Sequence, residues 1–123
     1  MKKILIIEDD KDLVEVIDMH LKKEGYTTER AYDGEEALRK IDEFLPDLII
    51  LDVMLPKMDG SVLNAKLKSK KETKDIPIIV ITGKNGAKDL FIMNQQLTVS
   101  SFYYKPVLMS EILNEIKRLL KEK

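Results

Sequence analysis

Two kinds of hydrophobic pattern alternate along this chain. Continuous apolar runs, such as Ile4-Leu5-Ile6-Ile7, Leu48-Ile49-Ile50-Leu51 and Ile78-Ile79-Val80-Ile81, are each closed by an acid or a threonine. Runs of that length read as strands buried on both faces. Between them lie stretches whose apolar residues recur three or four apart, the period of an amphipathic helix. Leu13, Val14, Ile17 and Leu21 predict a helix over residues 11–24, stopped at Gly25. Ala37, Leu38, Ile41 and Leu45 predict a second, with Glu35 and Glu36 in its first turn and Pro46 after it.

The remaining segments complete the alternation. Strands are predicted over residues 3–8, 26–31, 48–52, 77–82 and 101–104. The later helices are predicted over about residues 60–70, 88–97 and 109–121, carried by Leu63 and Leu67, by Leu90, Met93 and Leu97, and by Ile112, Ile116, Leu119 and Leu120. Five strand–helix units with right-handed crossovers imply a parallel sheet covered by helices on both faces. The polar segment 26–31 suits an edge strand, which leads to a flavodoxin-like doubly wound sheet in the order 2-1-3-4-5. Pro77 stands at a strand start, where a missing N–H does least harm.

Composition narrows what such a domain does. At 123 residues the chain fits one domain, residues 1–123. Its 21 basic and 22 acidic residues nearly cancel, so whole-chain attraction to nucleic acid or to an anionic membrane is not expected. There is no cysteine, hence no disulfide, thiolate metal site or cysteine nucleophile. Met1-Lys2-Lys3 precedes an apolar run too short for a signal peptide, and no run approaches a membrane span, so a cytoplasmic location is expected. His20 reads as partly exposed helix packing, and the lysines at 66, 68, 70, 71 and 74 as a solvated face. The methionines, Met19, Met54, Met58, Met93 and Met109 among them, read as scattered core or rim fillers.

The chemistry sits where strands end. In a sheet of this kind ligands bind in the crevice outside the carboxyl ends of the strands. Strands one, three, four and five would deliver Glu8, Asp9, Asp52, Thr82 and Lys105 to that crevice, while Asp10 reads as the cap of the first helix. Clustered carboxylates repel, by about 4 kcal/mol for a pair ~4 Å apart at an effective dielectric near 20. Either a shared proton or a bound cation relieves this. An all-oxygen site with room for water suits Mg²⁺. A carboxylate nucleophile, a hydroxyl and an ammonium beside it then make a phosphoryl-transfer set.

These residues carry a resemblance over essentially the whole length of the chain. The acidic pair Glu8-Asp9, Asp52 within Leu51-Asp52-Val53-Met54-Leu55-Pro56-Lys57-Met58-Asp59-Gly60, Thr82, and Lys105-Pro106 match the receiver domain of two-component response regulators. Asp33-Gly34-Glu35-Glu36-Ala37-Leu38 also resembles that family's second helix start. The resemblance implies a phosphorylation switch with Asp52 as phosphoacceptor. It makes Asp9, Asp52 and the backbone carbonyl of Met54 direct Mg²⁺ ligands, with Glu8 acting through water. Thr82 and Lys105 would hold the phosphoryl group, Phe102 would be the switch aromatic, Gly60 a structural residue, and the Lys105–Pro106 bond would be cis. The donor would be a sensor histidine kinase or a phosphotransfer protein. The output would be a protein target, or a second copy in a phosphorylation-dependent dimer, meeting the face made by helix 4, strand 5 and helix 5.

The chain departs from the family pattern in three places: Gly83 follows Thr82 in place of alanine, Phe102 lacks a tyrosine hydroxyl, and Thr98-Val99 stands before strand five in place of Gly-Ala. A chain that ends with its fifth helix suggests a stand-alone, chemotaxis-regulator-like receiver, and Met54, two residues after Asp52 where a phosphohydrolase would carry a second acid, speaks against an enzyme with its own turnover. A receiver excised from a longer DNA-binding regulator and a Mg²⁺-dependent aspartyl-phosphate phosphohydrolase remain the alternatives. A flavodoxin-like cofactor carrier is disfavoured, because Glu8-Asp9-Asp10 would repel a phosphate at the first strand–helix turn.

Overall fold

Each apolar run becomes a strand, and each strand ends close to the residue that closes its run. The computed structural model describes residues 2–55, 59–83 and 86–121, so Pro56, Lys57 and Met58 of the segment singled out above lie outside the described residues. The order is β1 (Lys3–Ile7), α1 (Lys11–Lys23), β2 (Thr27–Ala31), α2 (Gly34–Phe44), β3 (Leu48–Asp52), α3 (Gly60–Lys68), β4 (Ile78–Thr82), α4 (Ala87–Gln96), β5 (Ser101–Tyr104) and α5 (Met109–Leu119). The strands form one parallel sheet in the order β2-β1-β3-β4-β5. This is the expected doubly wound arrangement, with the polar strand at one edge.

Burial explains the layering. All residues of β3 and β4 are buried, as a central strand covered on both faces requires. One face, through Leu5, Ile7, Ile49, Leu51, Ile78 and Val80, packs on Ala37 and Ile41 of α2, Leu63 and Leu67 of α3, and Leu90 and Met93 of α4. The other, through Ile4, Ile6, Leu48, Ile50, Ile79 and Ile81, packs on Val14, Ile17 and Leu21 of α1 and Ile112 and Ile116 of α5. Of the methionines, Met93 fills this core whereas Met19 is exposed. Among the described residues, no helix is long and apolar enough to cross a membrane.

The caps fix where the helices start. The Asp10 carboxylate accepts from the N–H groups of Asp12 and Leu13, Asp33 caps α2 at Glu36 N, and Asp59 caps α3 at Ser61 N. Gly25, at φ 93°, supplies the left-handed residue after α1. Several boundaries fall short of the sequence reading, because the last turns tighten, with the Gly25, Ser69 and Lys121 N–H groups each bonded to the carbonyl three residues back. Helix α1 ends at Lys23, α3 at Lys68 rather than near 70, and α5 at Leu119. Helix α4 ends at Gln96 because Leu97 turns extended (φ −147°, ψ 142°), buries its side chain, and is followed by Val99 packed on the core.

Ion networks tie helices to their neighbours. Asp18, buried on α1, accepts from Thr28 Oγ1 and pairs with Arg30 NH2 and Lys22 Nζ, each at 2.9 Å. Burial alone would raise its pKa, but the Thr28, Lys22 and Arg30 contacts outweigh that and hold it below the ordinary value. On α5, Arg118 grips Glu115 through two bonds of 2.6 and 2.7 Å, and Ser101 of β5 donates to the same carboxylate. The Arg118 bond, against a smaller opposing effect of burial, lowers the Glu115 pKa from 4.5 to about 2. A carboxyl lowered in the folded state adds stability above its unfolded pKa and loses it as pH falls. We therefore expect the urea midpoint to drop between pH 4.5 and about 2 by less in Glu115→Gln than in the native chain. Parallel curves for the two proteins would show that Glu115 contributes nothing.

Candidate phosphoacceptor site

The sheet order brings four chain segments to one crevice. Asp52 is the last residue of β3 and Thr82 the last of β4; Glu8 follows β1 directly, and Lys105 follows β5. Parallel pairing keeps these ends level, with Ile7 opposite Leu51, Asp52 opposite Ile81 and Thr82 opposite Tyr104. The Lys105 N–H donates to the Thr82 carbonyl at 2.7 Å, carrying the ladder one residue past β5. The Lys105–Pro106 peptide bond is cis.

Neighbouring acids are treated differently by the fold. Glu8 is completely buried, whereas Asp9 is exposed at the rim and Asp52 is 4% exposed. Glu8 Oε2 accepts from the Asp10 N–H at 3.1 Å, and Asp52 Oδ1 accepts from the Met54 N–H at 3.0 Å. The Lys105 ammonium bridges the two buried acids, 2.7 Å from Glu8 Oε1 and 3.2 Å from Asp52 Oδ2. The Glu8 contact is an ion pair by distance but lacks hydrogen-bond alignment, so Oε1 has no hydrogen-bond partner. Thr82 is also fully buried, and its hydroxyl has no hydrogen-bond partner either. Such orphans are rare in folded proteins and mark places built for something more.

Charge explains the tension. One oxygen from each of Glu8, Asp9 and Asp52 lies within 4.8 Å of the others, and among the described residues the ammonium of Lys105 alone pairs with this cluster, through Glu8 and Asp52. Burial above all, joined by Asp52, pushes the Glu8 pKa up to about 7 against the lowering effects of Lys105 and of the Asp10 N–H. For Lys105, burial works downward but Glu8 and Asp52 outweigh it, so its pKa lies above the ordinary value and it stays charged. The cluster is short of positive charge. Three carboxylate oxygens in reach of one another, in a cluster where a buried Glu8 oxygen lacks a hydrogen bond, fit a small divalent cation that keeps water ligands.

The remaining predicted residues fall around this centre. Met54 is held beside Asp52 by its backbone bond, with its side chain 45% exposed over the crevice. Phe102 points outward, 49% exposed and edge-on to Tyr104 at 5.7 Å. Gly60 starts α3 with its N–H bonded to Gln96 Oε1 of α4 at 3.0 Å, and a Cβ there would meet Met93 Sδ at 2.5 Å and Gln96 Oε1 at 2.6 Å. His20 is partly exposed and bonded to the Val16 carbonyl, and Lys66 and Lys70 pair with Asp42, so neither belongs to the site. Sequence patterns gave no sign of Gln96, a polar side chain on a surface helix, nor of Gly86.

Fold and site together define a doubly wound α/β domain with an acidic, lysine-bridged crevice at its strand ends. The chain belongs to the response regulator receiver domain family, whose model matches residues 4–117. Over 120 residues it is 36% identical to the alkaline phosphatase synthesis transcriptional regulatory protein PhoP of Bacillus subtilis, covering 98% of this chain and 49% of that protein. The chain thus spans about half the length of this curated relative. The receiver domain of a signal transduction histidine kinase from Syntrophus aciditrophicus is 34% identical (TM-score 0.83; 98% of this chain, 91% of that one). A receiver domain of a Pseudomonas aeruginosa sensor histidine kinase is 25% identical (TM-score 0.84; 98% of each chain) and holds a magnesium ion in its active-site cleft.

Proposed function

We propose that Asp52 is the phosphoacceptor of a two-component signalling switch and that Mg²⁺ is its cofactor. The observation that carries this is the buried Asp52 carboxylate, gripped by Lys105, beside a buried Thr82 hydroxyl with no partner. A carboxylate oxygen of Asp52 forms a bond to phosphorus while the bond from phosphorus to the donor breaks. With a phosphohistidine donor that bond is P–N, and the leaving imidazole takes up a proton. Lys105 and the Thr82 hydroxyl bind the equatorial phosphoryl oxygens where charge is held in the transition state. Mg²⁺ would be held by Asp9, Asp52 and the Met54 carbonyl, with Glu8 through water, and supplies charge neutralisation to the acids and the phosphoryl group. The donor is a sensor histidine kinase or phosphotransfer protein, in the cytoplasm.

The domain switches and does not turn over. Met54 stands two residues after Asp52, where a phosphohydrolase would place an acid for the leaving group, and its thioether transfers no proton. The flavodoxin-like alternative fails at α1, because Asp10 already occupies the N–H groups a phosphate would use. Output passes through Phe102 and the face of α4, β5 and α5, where Phe91 and Leu108 are also exposed. A protein target or a second copy of the domain binds there, and no nucleic acid or membrane. The likeness to PhoP supports a second reading, in which this receiver serves a longer transcriptional regulator.

Incubation with acetyl phosphate and Mg²⁺ is expected to add one phosphoryl group, seen by intact mass and removed by hydroxylamine. Full labelling in excess chelator would reject the metal's role, and no labelling at all would reject the switch.

A further inference from the structure

Gly86 lies directly against the Thr82 hydroxyl. It is buried in front of α4, its N–H bonded to the Gly83 carbonyl at 2.9 Å. Its backbone (φ −88°, ψ 4°) is open to any amino acid, so conformation does not demand glycine. Capping does not demand it either, since a side-chain acceptor at this N-cap position would serve α4 at least as well and glycine offers none. Space does. A Cβ on Gly86 would stand well under 3.0 Å from Thr82 Oγ1, closer than real Cβ atoms come, and 3.1–3.2 Å from Cγ and Sδ of Met54. Met54 is a flexible, half-exposed side chain that yields by tenths of an ångström. Thr82 is short and fully buried, and its hydroxyl has no hydrogen bond to hold it.

The geometry points to Gly86 as a positioning residue: its bare Cα is the seat in which the Thr82 hydroxyl rests, off the acceptor, until Asp52 is phosphorylated. This rests on the phosphoacceptor reading of Asp52 and adds its regulation. With the seat empty of a side chain, the hydroxyl has two stations, one against Gly86 and one toward the crevice between Asp52 and Lys105. Phosphorylation adds acceptor oxygens that favour the second. Filling the seat with one methyl group removes the first station, because the hydroxyl must rotate to another staggered position or move with the strand end. Gly86→Ala therefore shifts the unphosphorylated domain toward the activated arrangement without touching the phosphoryl group.

The test is a double-mutant cycle on binding of Mg²⁺ and beryllofluoride, a stand-in for the phosphoryl group, followed by NMR titration. Raising the competent fraction from about a fifth to nearly all tightens apparent affinity about fivefold. Gly86→Ala is expected to show that gain, with the Thr82 amide signal of the unliganded variant displaced toward its beryllofluoride-bound position. In a Thr82→Ala background the same change is expected to do nothing. If Gly86→Ala proves unstable, adding Thr82→Ala should restore its melting temperature, since the clash is then gone. Unchanged or weaker binding in folded Gly86→Ala, an equal effect with and without Thr82, or instability that Thr82→Ala does not rescue would overturn the assignment of Gly86. Failure of the native chain to bind beryllofluoride with Mg²⁺ overturns the reading of Asp52 itself, and Gly86 with it.

Discussion

Asp52→Asn is expected to abolish phosphoryl incorporation from acetyl phosphate, with intact mass spectrometry showing only the unmodified chain. Asparagine matches aspartate in shape, and its amide oxygen can still accept the Met54 N–H that Asp52 Oδ1 accepts at 3.0 Å. The fold should survive, which a melt checks. What disappears is the anionic oxygen, and a neutral amide is too weak a nucleophile to displace the donor. Glu8 is sealed from solvent with Lys105 against it, so an incoming phosphoryl donor cannot reach it. Asp9 is exposed and, as the other acid of the cluster, is the described neighbour placed to take over. Full labelling of Asp52→Asn, mapped to Asp9 by peptide analysis, would move the acceptor to the rim and defeat the proposed arrangement.

Lys105→Ala is expected to slow labelling by about a hundredfold or more, the scale found when one preorganised charge or donor at a transition state is removed. Lys105 Nζ is the cation that both buried acids face, at 2.7 and 3.2 Å. Without it the site loses the ammonium that offsets negative charge on the phosphoryl oxygens. Breaking a buried ion pair by deleting one partner commonly destabilises by about 3–5 kcal/mol. Here the loss should fall below that range, since burial has already brought the Glu8 pKa to about 7 and a proton can replace the lysine charge. The rate and the melting temperature therefore separate: a large kinetic defect with a modest stability defect. Labelling of Lys105→Ala at the native rate would remove Lys105 from the phosphoryl site. Lys105→Arg should not restore the native rate, because a planar fork cannot place a point charge between the two acids.

The periodicities alone determined the elements. A strand of apolar residues buried on both faces has no choice of neighbours that leaves it wet, so β3 and β4 were readable from Leu48–Asp52 and Ile78–Thr82 as sequence. Polar β2 identified itself as an edge strand for the converse reason, and the right-handed crossover rule then left few strand orders. Because a parallel sheet sends all its strand ends the same way, the residues closing each run had to converge, which is why Glu8, Asp52, Thr82 and Lys105 could be named before any contact was known. What the sequence could not decide was burial within a pair of like residues. Glu8 and Asp9 are adjacent carboxylates, yet one is sealed under Lys105, a partner far along the chain, and the other faces solvent. The same holds for Asp18, an acid on a helix whose burial depends on Thr28 and Arg30 of β2 arriving beside it. It holds again for Gly60 and Gly86, whose missing side chains make room for atoms of Gln96 and Thr82. Hydrophobic period is a property of neighbours in sequence, legible in the chain itself; desolvation and close approach belong to residues brought together by assembly, and only the tertiary structure sets them.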